Sequence, residues 1–312
     1  MNNRIICVVG PTASGKTSLA INIAKSLDGE IICADSMQIY KHFNIGTAKP
    51  TTEEQAQVPH HLFDFVEPCE DFSVAKYVEL ASEKIYEIKS RGKVPIITGG
   101  TGLYIDSLIK GNDFAKNDDK NDQIRKELFE IAEKNGNEFV HEMLKEIDIE
   151  SYEKLHANDV KRVVRAIEVY KITGKTISQH NEETRKIPPK FQAVMFGINP
   201  LDREILYGRI NKRVDIMLEN GLIDELKMLI ANGYFVNTAS QAIGYKELLD
   251  YINDSDKLEN CVDKMKQESR RYAKRQITWF GRNKQIHWLR DIFDEEKMLS
   301  DALSVIKDEF YG

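Results

Sequence analysis

Cysteine is scarce in this 312-residue chain. Cys7, Cys33, Cys69 and Cys261 stand far apart, and no two form a C-x-x-C pair. That excludes a disulfide framework or a cysteine zinc site and fits a reducing compartment. No apolar run approaches the ~20 residues of a membrane-spanning helix. The N-terminus has no basic stretch leading into a long apolar segment, so no secretory signal is expected. There is no internal repeat. Positive charge is also short overall: 44 Lys and Arg against 50 Asp and Glu leave −6. Bulk charge therefore does not announce nucleic acid. His60 and His61 have no ligand-spaced partner and read as structural. The expectation is a cytoplasmic protein with no membrane partner, and a monomer.

What is present suits a globular protein of one large or two smaller domains, with 41% hydrophobic and 30% charged residues. Continuous apolar runs at Arg4–Val9, Glu30–Ala34, Val94–Thr98 and Gln192–Asn199 read as strands buried on both faces. Cys7 and Cys33 fall within them as small core residues. Helical stretches lie between. Ser73 caps one to Ser90, and Asp202 caps another that runs to Glu219 and stops at Asn220-Gly221. Strands alternating with helices mean a parallel α/β sheet. Asn112–Asp122 and Glu182–Lys190 read as polar linkers around a helical segment. The spacing therefore predicts an α/β core from 1–112 and 190–312, with an all-helical domain inserted at 113–189. The C-terminal third reads as helical, including a long helix after Ser255.

The strongest motif opens the chain. Apolar Ile5–Val9 runs straight into Gly10-Pro11-Thr12-Ala13-Ser14-Gly15-Lys16-Thr17, a match to G-x-x-x-x-G-K-[ST]. Backbone N–H groups of such a loop converge on one anion, the lysine adds a point charge, and the Thr17 hydroxyl can hold Mg²⁺. The following helix aims its positive end at the same point. A pyrophosphate-containing ligand is expected. In open parallel sheets, ligands sit beyond the carboxyl ends of the strands. That position also holds Asp35-Ser36-Met37-Gln38 and Gly99-Gly100-Thr101-Gly102. Asp35 there can ligate Mg²⁺ through water or accept a proton, or else simply cap a helix. Thr101 offers a hydroxyl, or marks a bare turn.

Arg213, one turn from Arg209, borders the ridge Leu206, Ile210, Val214 and Met217. An arginine there wants an anion, either a pyrophosphate or an internal carboxylate. Charge is also distributed unevenly: Lys264 to Arg290 holds nine Lys or Arg and one acid, Glu268. Lys161, Arg162 and Arg165 form a second basic group opposite Val160, Val164 and Ile167. Such runs are usually solvated helix faces. Two of them in an acidic chain also suit a groove for a polyanion larger than a nucleotide.

Seven blocks together resemble the tRNA dimethylallyltransferases: residues 10–17, Asp-Ser-Met-Gln-Ile-Tyr at 35–40, Gly-Thr-Ala-Lys-Pro at 46–50, Pro-His-His-Leu at 59–62, Gly-Gly-Thr-Gly-Leu-Tyr at 99–104, Gly-Tyr at 244–245 and Lys-Arg-Gln-Ile-Thr-Trp-Phe at 274–280. They stand in the family order and span nearly the whole chain. The resemblance implies a P-loop NTPase-like parallel core flanked by helices, with an inserted helical domain that embraces the anticodon stem-loop. It implies transfer of a dimethylallyl group from dimethylallyl pyrophosphate to N6 of the adenosine 3′ to the anticodon, in tRNAs reading codons that begin with U. By position, Asp35 would accept or bind the N6 proton and Thr101 would position that region. Loop 10–17 and Arg213 would bind pyrophosphate, and Thr17 the Mg²⁺. Contacts to tRNA would come from Asp35, Ser36, Met37, Gln38, Thr101, Arg125, Lys161, Arg162, Val163, Val164 and Arg165. Further contacts would come from Gln241, Gly244, Tyr245, Lys246, Lys274, Arg275, Gln276 and Trp279, within stretches 241–246 and 274–281. The resemblance is to the compact bacterial members, so the zinc-finger extension of the eukaryotic ones is not expected. Three other readings remain: a P-loop kinase using ATP on a small molecule, a prenyl transferase acting on free adenine nucleotides, and an RNA-binding module switched by nucleotide.

Overall fold

The computed structural model describes residues 3–111 and 119–311. In chain order the elements are β1 (Arg4–Val9), α1 (Lys16–Leu27), β2 (Gly29–Cys33), α2 (Thr52–Gln55), β3 (His60–His61), α3 (Val74–Ser90), β4 (Val94–Gly99), α4 (Gly102–Lys110), α5 (Asp119–Asn135), α6 (Asn137–Ile147), α7 (Ile149–Lys154), α8 (Val160–Thr173), α9 (Ile177–Lys186), β5 (Gln192–Ile198), α10 (Arg203–Glu219), α11 (Leu222–Ala231), α12 (Leu249–Ile252), α13 (Leu258–Phe280), β6 (Ile286–Leu289) and α14 (Glu295–Glu309). Residues 1–111 and 190–312 form one compact unit, and 112–189 form a second.

In the first unit a six-stranded sheet runs in the order β3-β2-β4-β1-β5-β6, and every pairing is parallel. Residues 5–9 of β1 are wholly buried because both faces are covered. Ile6 and Val8 pack with α1 and α14, alongside Ile31, Ile96 and Phe196. Cys7 and Cys33 lie near Tyr77 of α3, and burial pushes both thiols well above their ordinary range. The chain leaves β1 toward one side of the sheet and later returns to fill the other. The end of β1 is thus the switch point, where a crevice must open.

Strands expected at 4–9, 30–34, 94–98 and 192–199 are present, and the caps at Ser73 and Asp202 accept from Lys76 N and Glu204 N. Two short strands escape the sequence pattern. β3 consists of His60 and His61, with His61 Nε2 2.6 Å from the buried Glu30 Oε2. β6 interrupts the expected C-terminal helix run. The turn after Gly281 frees Ile286–Leu289 to pair with β5, a four-residue strand hidden between Lys284 and Arg290. The linker expected at Asn112–Asp122 lies largely outside the described residues. The one expected at Glu182–Lys190 begins later, because α9 continues to Lys186. A Thr176–Gln179 capping box starts that helix, and a Glu182–Lys186 pair at 2.9 Å supports its end.

The second unit is a helical cluster with its own core of Leu128, Val140, Leu144, Val163, Val164 and Ile167. Glu168, fully buried, accepts from Arg125 and Arg165 at 2.9 Å each and ties α5 to α8.

Gly99 ends β4 where the chain after β2 crosses it. A Cβ there would stand 2.2 Å from the Ala34 carbonyl oxygen. Backbone cannot yield as a side chain can, so Gly99→Ala is expected to destabilise the protein by about 1–3 kcal/mol. A denaturant midpoint measures this, and an unchanged midpoint would show that the strand ends can separate freely.

Candidate active site

The loop after β1 is shaped by local sterics. Gly15 lies at φ 98°, where a side chain would be strained, and it starts α1 directly at Lys16. The first turn of α1 therefore keeps its N–H groups unspent at the loop. Ser14 Oγ is buried with no hydrogen-bond partner among the described residues. A buried hydroxyl is rarely left so, which marks the loop as a cradle for a polar ligand. Lys16 Nζ reaches back to the Pro11 carbonyl at 3.3 Å. Desolvation lowers its pKa to about 8, against the pull of Asp35, while Arg213 adds repulsion.

The ends of β2 and β4 are laced together beside the loop. Ala34 N donates to Thr98 O at 2.7 Å and Thr101 N to Ala34 O at 3.1 Å. Ser36 N donates to Thr101 Oγ1 at 2.9 Å, and that hydroxyl donates to Ser36 Oγ at 3.2 Å. Asp35 Oδ1 accepts from Met37 N at 3.0 Å, which fixes the carboxylate and, among the described residues, leaves Oδ2 without a bond of this kind. Asp35 is thus the head of a turn and not a helix cap, since no helix follows until α2. Gln38 is held by its amide, which donates to Thr47 O and Ala48 O at 3.0 Å.

These groups open on a cleft of about 1280 Å³ within the first unit. Loop residues 12–17, Asp35 to Gln38, Arg209, Arg213, Gln241, Lys246, Tyr272, Arg275 and Gln276 line it. All four residues of the expected α10 ridge are buried. Arg213 donates to Ala48 O at 3.4 Å. Desolvation lowers its pKa, Asp35 and Glu54 oppose that, and Arg209 adds to it. Among the described residues, no three His, Cys, Asp or Glu side chains group to hold a metal. Thr17 lines the same cleft beside the orphaned Ser14.

Several residues expected at a polyanion surface do other work. Val163 and Val164 are buried in the core of the helical unit. Arg125 and Arg165 carry ion pairs to Glu168. On the same helix, Lys161 is exposed and Arg162 is 71% exposed, 3.3 Å from Asp159. Tyr245 is fully buried, and Gly244 N is spent on Glu247. Gln276 is a strut: Thr12 N donates to its Oε1 and its Nε2 donates to Gly100 O, both at 3.0 Å. Trp279 Nε1 donates to Asp106 at 2.9 Å. Lys246, Lys274 and Arg275 remain exposed.

Tyr272 of α13 also lines the cleft, under the Arg275 guanidinium, 5.6 Å from the ring centre. Burial and then Asp35 push its phenol up. A tyrosine in a helix rich in basic residues gives no sign of this in the sequence.

A family model described as IPP transferase matches residues 38–284, and one described as isopentenyl transferase matches residues 3–68. A tRNA dimethylallyltransferase of Acetivibrio thermocellus is 52% identical over 300 residues, 95% of each chain. The chain is similar at 44% identity and a TM-score of 0.72 to the crystal structure of a Staphylococcus epidermidis tRNA delta(2)-isopentenylpyrophosphate transferase, over 98% of this chain and 99% of that one. A eukaryotic dimethylallyltransferase captured acting on tRNA matches at 31% identity and a TM-score of 0.84, over 99% of this chain and 80% of its own.

Proposed function

Since the chain belongs to the tRNA dimethylallyltransferase family, we propose that it transfers a dimethylallyl group from dimethylallyl pyrophosphate to N6 of the adenosine 3′ to the anticodon, in tRNAs reading codons that begin with U. The observation that carries this reading is the placement of Asp35 beside the phosphate loop in one cleft, with Lys16 and Arg213 both in its field. Pyrophosphate docks on loop 10–17, Lys16 and Arg213. N6 attacks the allylic carbon, the carbon–oxygen bond breaks with its electrons leaving on pyrophosphate, and Asp35 takes the N6 proton. Adenine N6 is a poor nucleophile, so orientation and a proton acceptor carry much of the rate. Thr101, bonded to Ser36, holds the Asp35 turn in place. Charge that grows on the leaving group meets donors already aimed at it. The donor set fits a Mg²⁺ ion held by the Thr17 hydroxyl and ligand oxygens, since this ion commonly takes few protein ligands beside phosphates and water. Such an ion would neutralise charge on the pyrophosphate.

The target base must leave its stack, which costs less in a loop than in a duplex. Of the cations expected to contact tRNA, Lys161, Arg162, Lys246, Lys274 and Arg275 are exposed, and we assign them to the RNA backbone. Reversing Lys161 and Arg162 to Glu should weaken stem-loop binding and reduce the slope of log affinity against log salt by about 0.7 for each phosphate no longer neutralised. Arg165 is left intact in this test because it pairs with buried Glu168. An unchanged slope would remove the helical unit from the RNA platform. The function itself is tested with labelled dimethylallyl pyrophosphate. Label should enter anticodon stem-loop RNA and not AMP, and no phosphate should pass from ATP to RNA or AMP. Label in AMP alone would favour the free-nucleotide reading.

A further inference from the structure

Glu225 lies in the first turn of α11 on the face that carries Leu222, Leu226 and Leu229, and it is 9% exposed. Its carboxylate accepts three consecutive backbone N–H groups: Asn44 at 3.1 Å, Ile45 at 2.9 and 3.0 Å, and Gly46 at 3.3 Å. Tyr245 donates its hydroxyl to the same carboxylate at 2.5 Å and accepts from Gly46 N at 3.0 Å. The Tyr245 ring packs so close that a Cβ on Gly46 would stand 2.5 Å from it. Segment 44–46 belongs to no helix or strand, so this side chain supplies the acceptors its backbone requires.

The locked segment leads straight to the carbonyls of Thr47 and Ala48. Both accept from the Gln38 amide nitrogen, and Ala48 O also accepts from Arg213. Both amide protons of Gln38 are thereby spent on backbone. Among the described residues its Oε1 meets only the Cys33 thiol, at 3.8 Å. What Gln38 can offer a ligand in the cleft is therefore an acceptor.

Resting on the function proposed above, we propose that Glu225 is a positioning residue. By anchoring residues 44–48 it fixes the rotation of the Gln38 amide, so that Gln38 presents an acceptor to an N–H donor of the RNA, such as an exocyclic base amine. Glu225 itself touches no substrate.

Steady-state kinetics of Glu225→Gln, Tyr245→Phe, Gln38→Ala and the pairwise combinations test this. Glu225→Gln keeps shape but turns an amide donor toward backbone donors. The expected result is a rise of about tenfold in KM for stem-loop RNA, with kcat and KM for dimethylallyl pyrophosphate within about twofold of the parent, the pattern of lost uniform binding. Tyr245→Phe keeps the ring in the core and removes two hydrogen bonds, the one given to Glu225 and the one accepted from Gly46 N, and should raise the same KM about threefold. It carries the test if Glu225→Gln does not fold. Combined with Gln38→Ala, neither change should add further loss, because all act through one amide. An unchanged RNA KM in a folded variant, with only a lower melting temperature, would overturn the proposal, as would independent effects in the combinations. A parent enzyme that prenylates no RNA would instead sink the functional reading itself.

Discussion

Asp35→Asn should cut turnover on stem-loop RNA by about 10²–10⁴-fold with little change in fold or RNA affinity. An asparagine can still accept from Met37 N through its oxygen, so the turn that carries residue 35 survives. What disappears is an anion able to take a proton. Loss should therefore fall on kcat, with KM for both substrates near the parent value. Asp35→Ala also removes the acceptor for Met37 N. A larger loss there than in Asp35→Asn measures the orienting part of the role. Near-normal turnover of Asp35→Asn, in protein with an unaltered melting curve, would transfer the proton to another acceptor.

Lys16→Ala should lower kcat/KM for dimethylallyl pyrophosphate by about 10²–10³-fold, the usual cost of removing a donor aimed at developing charge. A pH dependence accompanies it. Desolvation brings the Lys16 ammonium in the free enzyme down to about 8, so the cation dominates below that pH and is lost above it. Anion capture needs the cation. For the parent enzyme kcat/KM for dimethylallyl pyrophosphate should therefore hold at neutral pH and fall as pH rises through about 8. In Lys16→Arg the guanidinium stays charged throughout, and whatever activity remains should lack that alkaline limb. The same limb in both proteins would assign it to another group.

How much of this was legible in the residues follows from what signals a sequence can carry. Four buried strands announce themselves because both faces are covered, which leaves continuous apolar runs. β3 and β6 carry no such run, being two and four residues long, and depend on neighbours the sequence does not display. The phosphate loop is legible because its glycines and lysine are contiguous and its flanks are regular. Asp35 and Thr101 follow from the rule that ligands sit beyond strand ends. The supports beneath them are harder to read. Gln276 braces the loop from a helix far along the chain, and nothing local distinguishes it from a surface glutamine. Glu225 and Glu168 did leave a trace. Each falls at helical spacing among apolar residues, Leu222 to Leu229 and Val164 to Ile167, where a carboxylate requires partners. The basic run at 161–165 was legible as charge, but not in its division. Arg165 turns inward to Glu168 while Lys161 and Arg162 stay outside.

The account is tested most directly by nuclease mapping with mass analysis of unmodified anticodon stem-loop RNA, after incubation with the protein, Mg²⁺ and dimethylallyl pyrophosphate. The predicted result is one dimethylallyl group gained on the adenosine 3′ to the anticodon, with free pyrophosphate released, and none gained with the Asp35→Ala protein over the same time. Unmodified RNA after incubation with folded enzyme, or a dimethylallyl group at some other nucleotide, would contradict it.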